Sequence, residues 1–310
     1  MAGHGGGVSH PALAPERLAP PTPGQLRRLL AGERLRPKRS LSQNFLTDPE
    51  ALDAIVDAAE LQPGDAVAEV GPGLGVLTRR LLAGGCEVLA VELDPRLADY
   101  LRRELDGVPG FSLTEADALS IAGSDVFPGR RYKLVANIPY HITSPLLHHF
   151  LGGTHPPEVT VLLVQLEVAE RVASPPGGMS YLSVFVQHLA EAEIVARVPA
   201  AAFEPAPKVD SAVLRLRRRA KPLIAADRRD AFHRLVQAGF RQRRKQIHNA
   251  LARELPIDRH ELDTAFAACA IAPDRRAQTL TVAEWACLAE ALASALDRPA
   301  RGGVARLADE

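Results

Sequence analysis

Apolar and polar positions follow two different periods in turn along this chain. Short apolar runs at 66–70, 87–92, 111–114, 133–136 and 159–165 have the length of buried strands. Between them, 76–83 and 95–105 space their apolar residues along one face of a helix. Regular strand and helix alternation of this kind predicts a parallel sheet covered by helices. Two later runs, 190–198 and 211–216, are expected to pair antiparallel at the sheet edge.

Upstream, 24–35 reads as a short basic helix. Asp48-Pro49 starts another, on which Ala51, Leu52, Ile55, Val56 and Ala59 fall at helical spacing, and Pro63-Gly64 closes it. Beyond a linker at Lys221-Pro222, the stretches 228–254, 260–269 and 282–296 are helical in pattern. The expected organisation is an N-terminal tail over 1–23, disordered and rich in Gly, Ala and Pro. An α/β domain follows over 24–220, then a smaller all-helical domain over 221–297 and a tail over 298–310.

Composition changes this picture in three places. The 310 residues carry 37 basic and 37 acidic side chains, so bulk charge gives no nucleic-acid signature. Distribution does: residues 201–255 hold fourteen Lys and Arg against five Asp and Glu. The three cysteines, Cys86, Cys269 and Cys287, are far apart and form no C-x-x-C pair. Neither a disulfide nor a zinc site is expected from them, and the compartment is read as reducing and cytoplasmic. No signal-peptide core and no apolar run long enough for a bilayer is present, so no membrane partner is expected. His141, His148 and His149 lack Cys, Asp or Glu partners at ligand spacing, and no metal is expected.

The first chemical signal is E-V-G-P-G-L-G at 69–75, between a strand and a helix. Gly71, Gly73 and Gly75 permit a tight turn and close approach of a ligand to backbone. Glu92 closes the next strand, where a carboxylate can accept ribose hydroxyls, and Asp117 follows the one after, within reach of an adenine amino group. These strand ends converge on a nucleoside, and a dinucleotide such as NAD remains open here. Val76, however, stands where the dinucleotide fingerprint wants Gly or Ala.

The second signal is N-I-P-Y at 137–140, closing another strand on the same sheet edge. An exocyclic adenine amine is a poor nucleophile because its lone pair is delocalised into the ring. A methyl-transfer site must therefore accept its N–H bonds and aim the lone pair at the sulfonium. The Asn137 amide oxygen and a carbonyl beside Pro139 suit that task, while Tyr140 and Phe203 offer rings for stacking or closure. No general base is needed.

Together with S-Q-N-F-L at 42–46, V-E-L-D at 91–94, A-D-A at 116–118 and F-E-P-A-P-K-V-D-S from Phe203, these blocks resemble the KsgA/RsmA family of small-subunit rRNA adenine dimethyltransferases, related to the Erm large-subunit enzymes. The resemblance covers roughly 38–296. It implies a Rossmann-like methyltransferase sheet with a smaller C-terminal all-helical domain, and S-adenosylmethionine as cofactor. Asn44, Leu46, Gly71, Gly73, Glu92, Asp117 and Asn137 would contact that cofactor. Asn137, Pro139 and Tyr140, with Phe203, would frame the target adenine. The string F-R-Q-R-R-K-Q-I-H-N at 240–249 is similar to the family's C-terminal helix, so Arg241, Arg243, Arg244 and Lys245 would lie on rRNA phosphates. The implied activity is N6,N6-dimethylation of two adjacent adenines near the 3′ end of 16S rRNA, by a monomer acting on an immature small subunit during ribosome biogenesis. Ser42 and Ile138 replace the commoner Gly and Leu and occur in Erm-type sequences, and Leu166 replaces a usual Lys. An Erm-like 23S rRNA methyltransferase and a non-catalytic ribosome-assembly factor on the same fold stay open beside the first reading.

Overall fold

The computed structural model describes residues 17–32, 35–38 and 43–298. Most of the N-terminal tail, Ser42, and all but the first residue of the C-terminal tail lie outside the described residues. Among the described residues nine strands form: β1 Phe45–Leu46, β2 Ala66–Val70, β3 Glu87–Glu92, β4 Phe111–Glu115, β5 Lys133–Asn137, β6 Val159–Gln165, β7 Ala190–Val198, β8 Phe203–Glu204 and β9 Ser211–Arg218. Thirteen helices accompany them among the described residues, from α1 Pro23–Ala31, α2 Pro49–Ala58, α3 Val76–Ala83 and α4 Pro95–Leu105 through α5 Gly123–Val126, α6 Thr143–Gly152, α7 Leu166–Val172 and α8 Tyr181–Leu189. The last five are α9 Arg229–Arg241, α10 Ile247–Glu254, α11 Arg259–Ala268, α12 Val282–Ala291 and α13 Ala293–Leu296.

Seven strands make one sheet in the order β4-β3-β2-β5-β6-β9-β7. β2 to β6 are parallel, and β9 and β7 run antiparallel at one edge as their spacing predicted. All five residues of β2 are buried, as a parallel strand covered on both faces must be. One apolar cluster packs Leu52, Ile55, Leu81 and Leu101 against one face, and a second packs Leu146, Leu147, Phe150 and Phe185 against the other. Asp48 caps α2 through the Glu50 N–H at 3.1 Å, with Pro49 at the first position. α1 ends at Gly32, earlier than the basic-helix pattern suggested, and starts from a Thr22–Gln25 capping box.

A third cluster, including Phe232, Leu235, Phe266, Trp285 and Leu288, fills the space among α9 to α13. The continuous helix expected over 228–254 is two helices. Its break at 242–246 has a tertiary cause: the Ile247 N–H at the start of α10 is donated to the Arg275 carbonyl at 2.7 Å. Glu254 at the far end of α10 reaches back to Arg241 at 3.2 Å and Gln242 at 3.1 Å, folding α10 onto α9. The 282–296 stretch similarly divides at Leu292 into α12 and α13.

A second correction concerns the cysteines. Cys269, at the end of α11, and Cys287, on α12, form a disulfide with Cα atoms 5.8 Å apart and a sequence separation of 18. Both helices bury residues in the same cluster, Phe266 from one and Trp285 from the other, and this packing brings together thiols that no motif announces. The pair removes the cysteine argument for a reducing compartment. Among the described residues no helix is long and apolar enough to cross a membrane.

α8 joins the two parts of the molecule, giving Phe185 and Val186 to the sheet and Val184 to the helical cluster. His188 on α8 is fully buried, with its ring 5.3 Å from that of His233 on α9. Burial, reinforced for His188 by its neighbour His233 and for His233 by His148, pushes both imidazoles down to about 4. Their folded pKa lies below the unfolded value, so the unfolded chain binds more protons between pH 6.5 and 4. Stability is then complete above about 6.5 and falls as pH drops through that window, by roughly 3 kcal/mol from His188 alone. Denaturant titrations at pH 7 and pH 4.5 should show this loss, and His188→Leu should flatten it. An unchanged slope in that variant would refute the assignment.

Candidate active site

Parallel pairing sets the site. Val70 pairs with Val91 on one side and Ala136 on the other, and Glu92 pairs with Glu115. The carboxyl ends of four neighbouring strands therefore deliver Gly71, Glu92, Asn137 and Asp117 to one edge, where open α/β sheets take their ligands. A Cβ placed on Gly71 would lie 3.5 Å from the Asn137 carbonyl oxygen, which measures how closely the glycine loop approaches the tetrapeptide.

Both open into one cavity of about 300 Å³. Its walls include every residue singled out for cofactor and base: Asn44, Leu46, Gly71, Gly73, Glu92 and Asp117, with Asn137, Pro139, Tyr140 and Phe203. Arg241, Arg243, Arg244 and Lys245 do not line it. The last three sit exposed on the turn between α9 and α10, and Arg241 is paired with Glu254.

The loop's shape demands its glycines. Gly73 has φ +59° and Gly75 φ +71°; a Cβ would come within 3.1 Å of the Phe45 ring at the first and 2.8 Å of Leu101 at the second. Glu92 is buried, accepting the Gly73 N–H on Oε2 at 3.1 Å and the Asp94 N–H on Oε1 at 2.9 Å. Burial raises its pKa despite those bonds. Each carboxylate oxygen keeps a further lone pair, so the side chain that orders the loop can still accept hydroxyls. Asp117 has a second task as well, capping the 118–120 turn through the Leu119 N–H at 2.9 Å.

Tyr140 is anchored from below by its hydroxyl, 2.7 Å from the Ser211 hydroxyl on β9. Phe203 arrives from a distant part of the chain. β8 pairs with β1, placing Phe203 opposite Leu46 and Glu204 opposite Phe45, and the Thr47 N–H is donated to the Ala202 carbonyl at 2.8 Å. This two-stranded ribbon was absent from the sequence reading, since two residues carry no periodicity.

Three further residues escaped that reading. Phe45 packs on Gly73. Asp94 is 1% exposed and gathers Lys38 at 3.1 Å, Gln43 at 3.2 Å and Arg96 at 2.7 Å, tying the segment before β1 to the end of β3. Burial alone would raise its pKa, but the hydrogen bonds from Arg96, Lys38 and Gln43 outweigh it and hold the carboxyl far below the usual range. Glu69 is 1% exposed and lines the cavity, and its Oε2 has no partner among the described residues. Burial, with the nearby Glu92 charge adding to it, outweighs the lowering effect of hydrogen bonding from Thr78 and pushes Glu69 up to about 8. A signal existed: an acid inside the run A-V-A-E-V, where every neighbour is apolar.

A sheet of this order, with a glycine loop and strand-end acids facing N-I-P-Y across one cavity, defines a Rossmann-like methyltransferase. The particular kind follows from comparison: residues 34–294 match the ribosomal RNA adenine dimethylase family, and the chain belongs to it. It is an S-adenosylmethionine-dependent adenine dimethyltransferase with rRNA as substrate. The chain is 40% identical to ribosomal RNA small subunit methyltransferase A of Moorella thermoacetica over 282 residues, 87% of this chain and 98% of that one. It is 42% identical to the same-named protein of Desulfitobacterium hafniense over 273 residues, covering 87% and 97%. Among solved structures, the 23S rRNA methyltransferase ErmE matches with TM-score 0.66 and 34% identity over 81% of this chain and 100% of that one. A dimethyladenosine transferase from Plasmodium falciparum shares the fold at TM-score 0.70 and 24% identity, covering 81% and 98%.

Proposed function

We propose that this enzyme dimethylates N6 of two adjacent adenines near the 3′ end of small-subunit rRNA, acting as a monomer on an immature small subunit in the cytoplasm. The observation that carries the chemistry is the single cavity shared by the Gly71–Gly73 loop and the Asn137–Tyr140 tetrapeptide. The small-subunit target is supported by 40% and 42% identity over 98% and 97% of two relatives bearing that name, against 34% for ErmE.

The residues present fit S-adenosylmethionine: Gly71 and Gly73 line the cavity without side chains, leaving loop backbone open to a ligand, and a buried acid there has an oxygen unpartnered among the described residues. When bound, the cofactor supplies an electrophilic methyl group on a sulfonium. Glu69 would hold its ammonium, Glu92 its ribose hydroxyls and Asp117 its adenine amine, with Asn44, Leu46 and the loop backbone closing around it. For the target base, the Asn137 amide oxygen and the carbonyl preceding Pro139 accept the N6 hydrogen bonds. That pulls the lone pair out of conjugation and stabilises the positive charge that develops on nitrogen. Tyr140 stacks on the extracted base while Phe203 closes the entrance. The nitrogen gains a methyl group and its surplus proton leaves to water. The helical region 221–297, through Arg241, Arg243, Arg244 and Lys245, lies on rRNA phosphates.

Methyl incorporation should be measured on purified immature small subunits and on protein-free large-subunit rRNA. Dimethyladenosine in the small-subunit RNA alone is expected. Transfer to the large-subunit RNA alone would replace this reading with the Erm-like one, and transfer to neither would leave the assembly-factor reading.

A further inference from the structure

A second groove, of about 560 Å³, opens beside the cavity and shares Gln43 and Asn44 with it. Arg27, Arg36 and Lys38 line it against a single carboxylate, Glu204. Lys38 is held by the buried Asp94. Arg27 and Arg36 are exposed, and their side chains make no hydrogen bond or ion pair among the described residues. Many other arginines here are neutralised: Arg217 by Glu60, Arg228 by Asp297, Arg102 by Asp99. The two uncommitted cations also stand on held backbone. Leu26 and Leu30, 1% and 4% exposed, anchor the helix that carries Arg27. The Arg36 carbonyl accepts from Arg96 at 3.3 Å, and Arg96 is itself locked on Asp94.

An adenine drawn into the cavity leaves its own sugar and phosphate at the mouth, so the strand on either side must run along a surface continuous with that mouth. We propose that the Arg27–Arg36 groove seats the phosphates of the single-stranded RNA flanking the target adenine, as a contact separate from the turn between α9 and α10. Fixed guanidinium groups suit phosphate because they arrive without loss of backbone freedom and donate in a planar fork. The proposal deepens the rRNA reading above and rests on it.

The test uses the full chain and an RNA hairpin bearing the adenine pair with single-stranded flanks, with binding followed by fluorescence anisotropy across a salt series. The double variant Arg27→Gln, Arg36→Gln should bind about tenfold more weakly at low salt, with a salt slope shallower by about 1.4, near 0.7 per lost phosphate contact. Its melting temperature and its S-adenosylmethionine affinity by calorimetry should match wild type, and Arg27→Lys, Arg36→Lys should keep the slope. Methylphosphonates in the flank, which remove phosphate charge, should weaken wild type and leave the glutamine variant unchanged. Equal slopes for wild type and the glutamine variant, with normal methyl transfer by wild type, overturn the groove alone. Absent methyl transfer by wild type to immature small subunits overturns the rRNA reading and the groove with it.

Discussion

Asn137→Ala is expected to lower kcat by about 10²–10³-fold, equivalent to about 3–4 kcal/mol of transition-state stabilisation. Asn137 ends β5, its backbone is paired to Leu163 of β6, and its carbonyl abuts Gly71, so alanine leaves the strand and loop in place. What goes is the amide oxygen. In the ground state that acceptor competes with water for an N6 hydrogen, but as the nitrogen acquires positive charge the bond strengthens. The interaction is therefore worth more at the transition state than before it. Single-turnover transfer should fall by the full factor while the S-adenosylmethionine Kd moves less than tenfold. A fully active alanine variant would remove Asn137 from catalysis.

Glu69→Gln is expected to weaken S-adenosylmethionine binding by about 10²-fold, the scale of removing one member of a buried charge pair. Before the cofactor binds, Glu69, raised to about 8, holds a proton at pH 7. An ammonium brought beside it favours the carboxylate, so wild type should release a proton on binding at pH 7, and affinity should rise with pH until about 8. Calorimetry in buffers of different ionisation enthalpy reads that proton directly, and the glutamine variant should release none. The same group affects stability with the opposite trend. Its folded pKa lies above the unfolded 4.5, so the folded state binds more protons between 4.5 and 8. The stability this contributes is whole below 4.5 and is lost as pH rises through 8. The ligand-free glutamine variant should accordingly outlast wild type at pH 9. Equal proton release by both proteins would show that Glu69 is not the group.

Much of the site was legible because it sits where strands end. Glu92, Asp117 and Asn137 each follow an apolar run, and parallel pairing sends all such ends to one edge. Leu46 was named only through resemblance, and Phe203 only as a ring that could stack or close over the base. Their pairing joins segments more than 150 residues apart, and nothing in either dipeptide encodes its partner. Glu69 was visible as an acid in an apolar strand, but its altered protonation comes from burial and from Glu92 beside it.

The sequence by itself determined the alternation of strands and helices, the Asp48 cap, the glycine turn and the order in which the chemical groups meet the sheet. All of these are written in neighbours a few residues apart, through backbone preference and side-chain period. Only the tertiary structure decided where α9 stops, that Cys269 meets Cys287, that His188 and His233 stay neutral, and that Arg27 and Arg36 face one groove. Those outcomes depend on burial, charge and distance between groups remote in the chain, quantities that exist only once the packing is made.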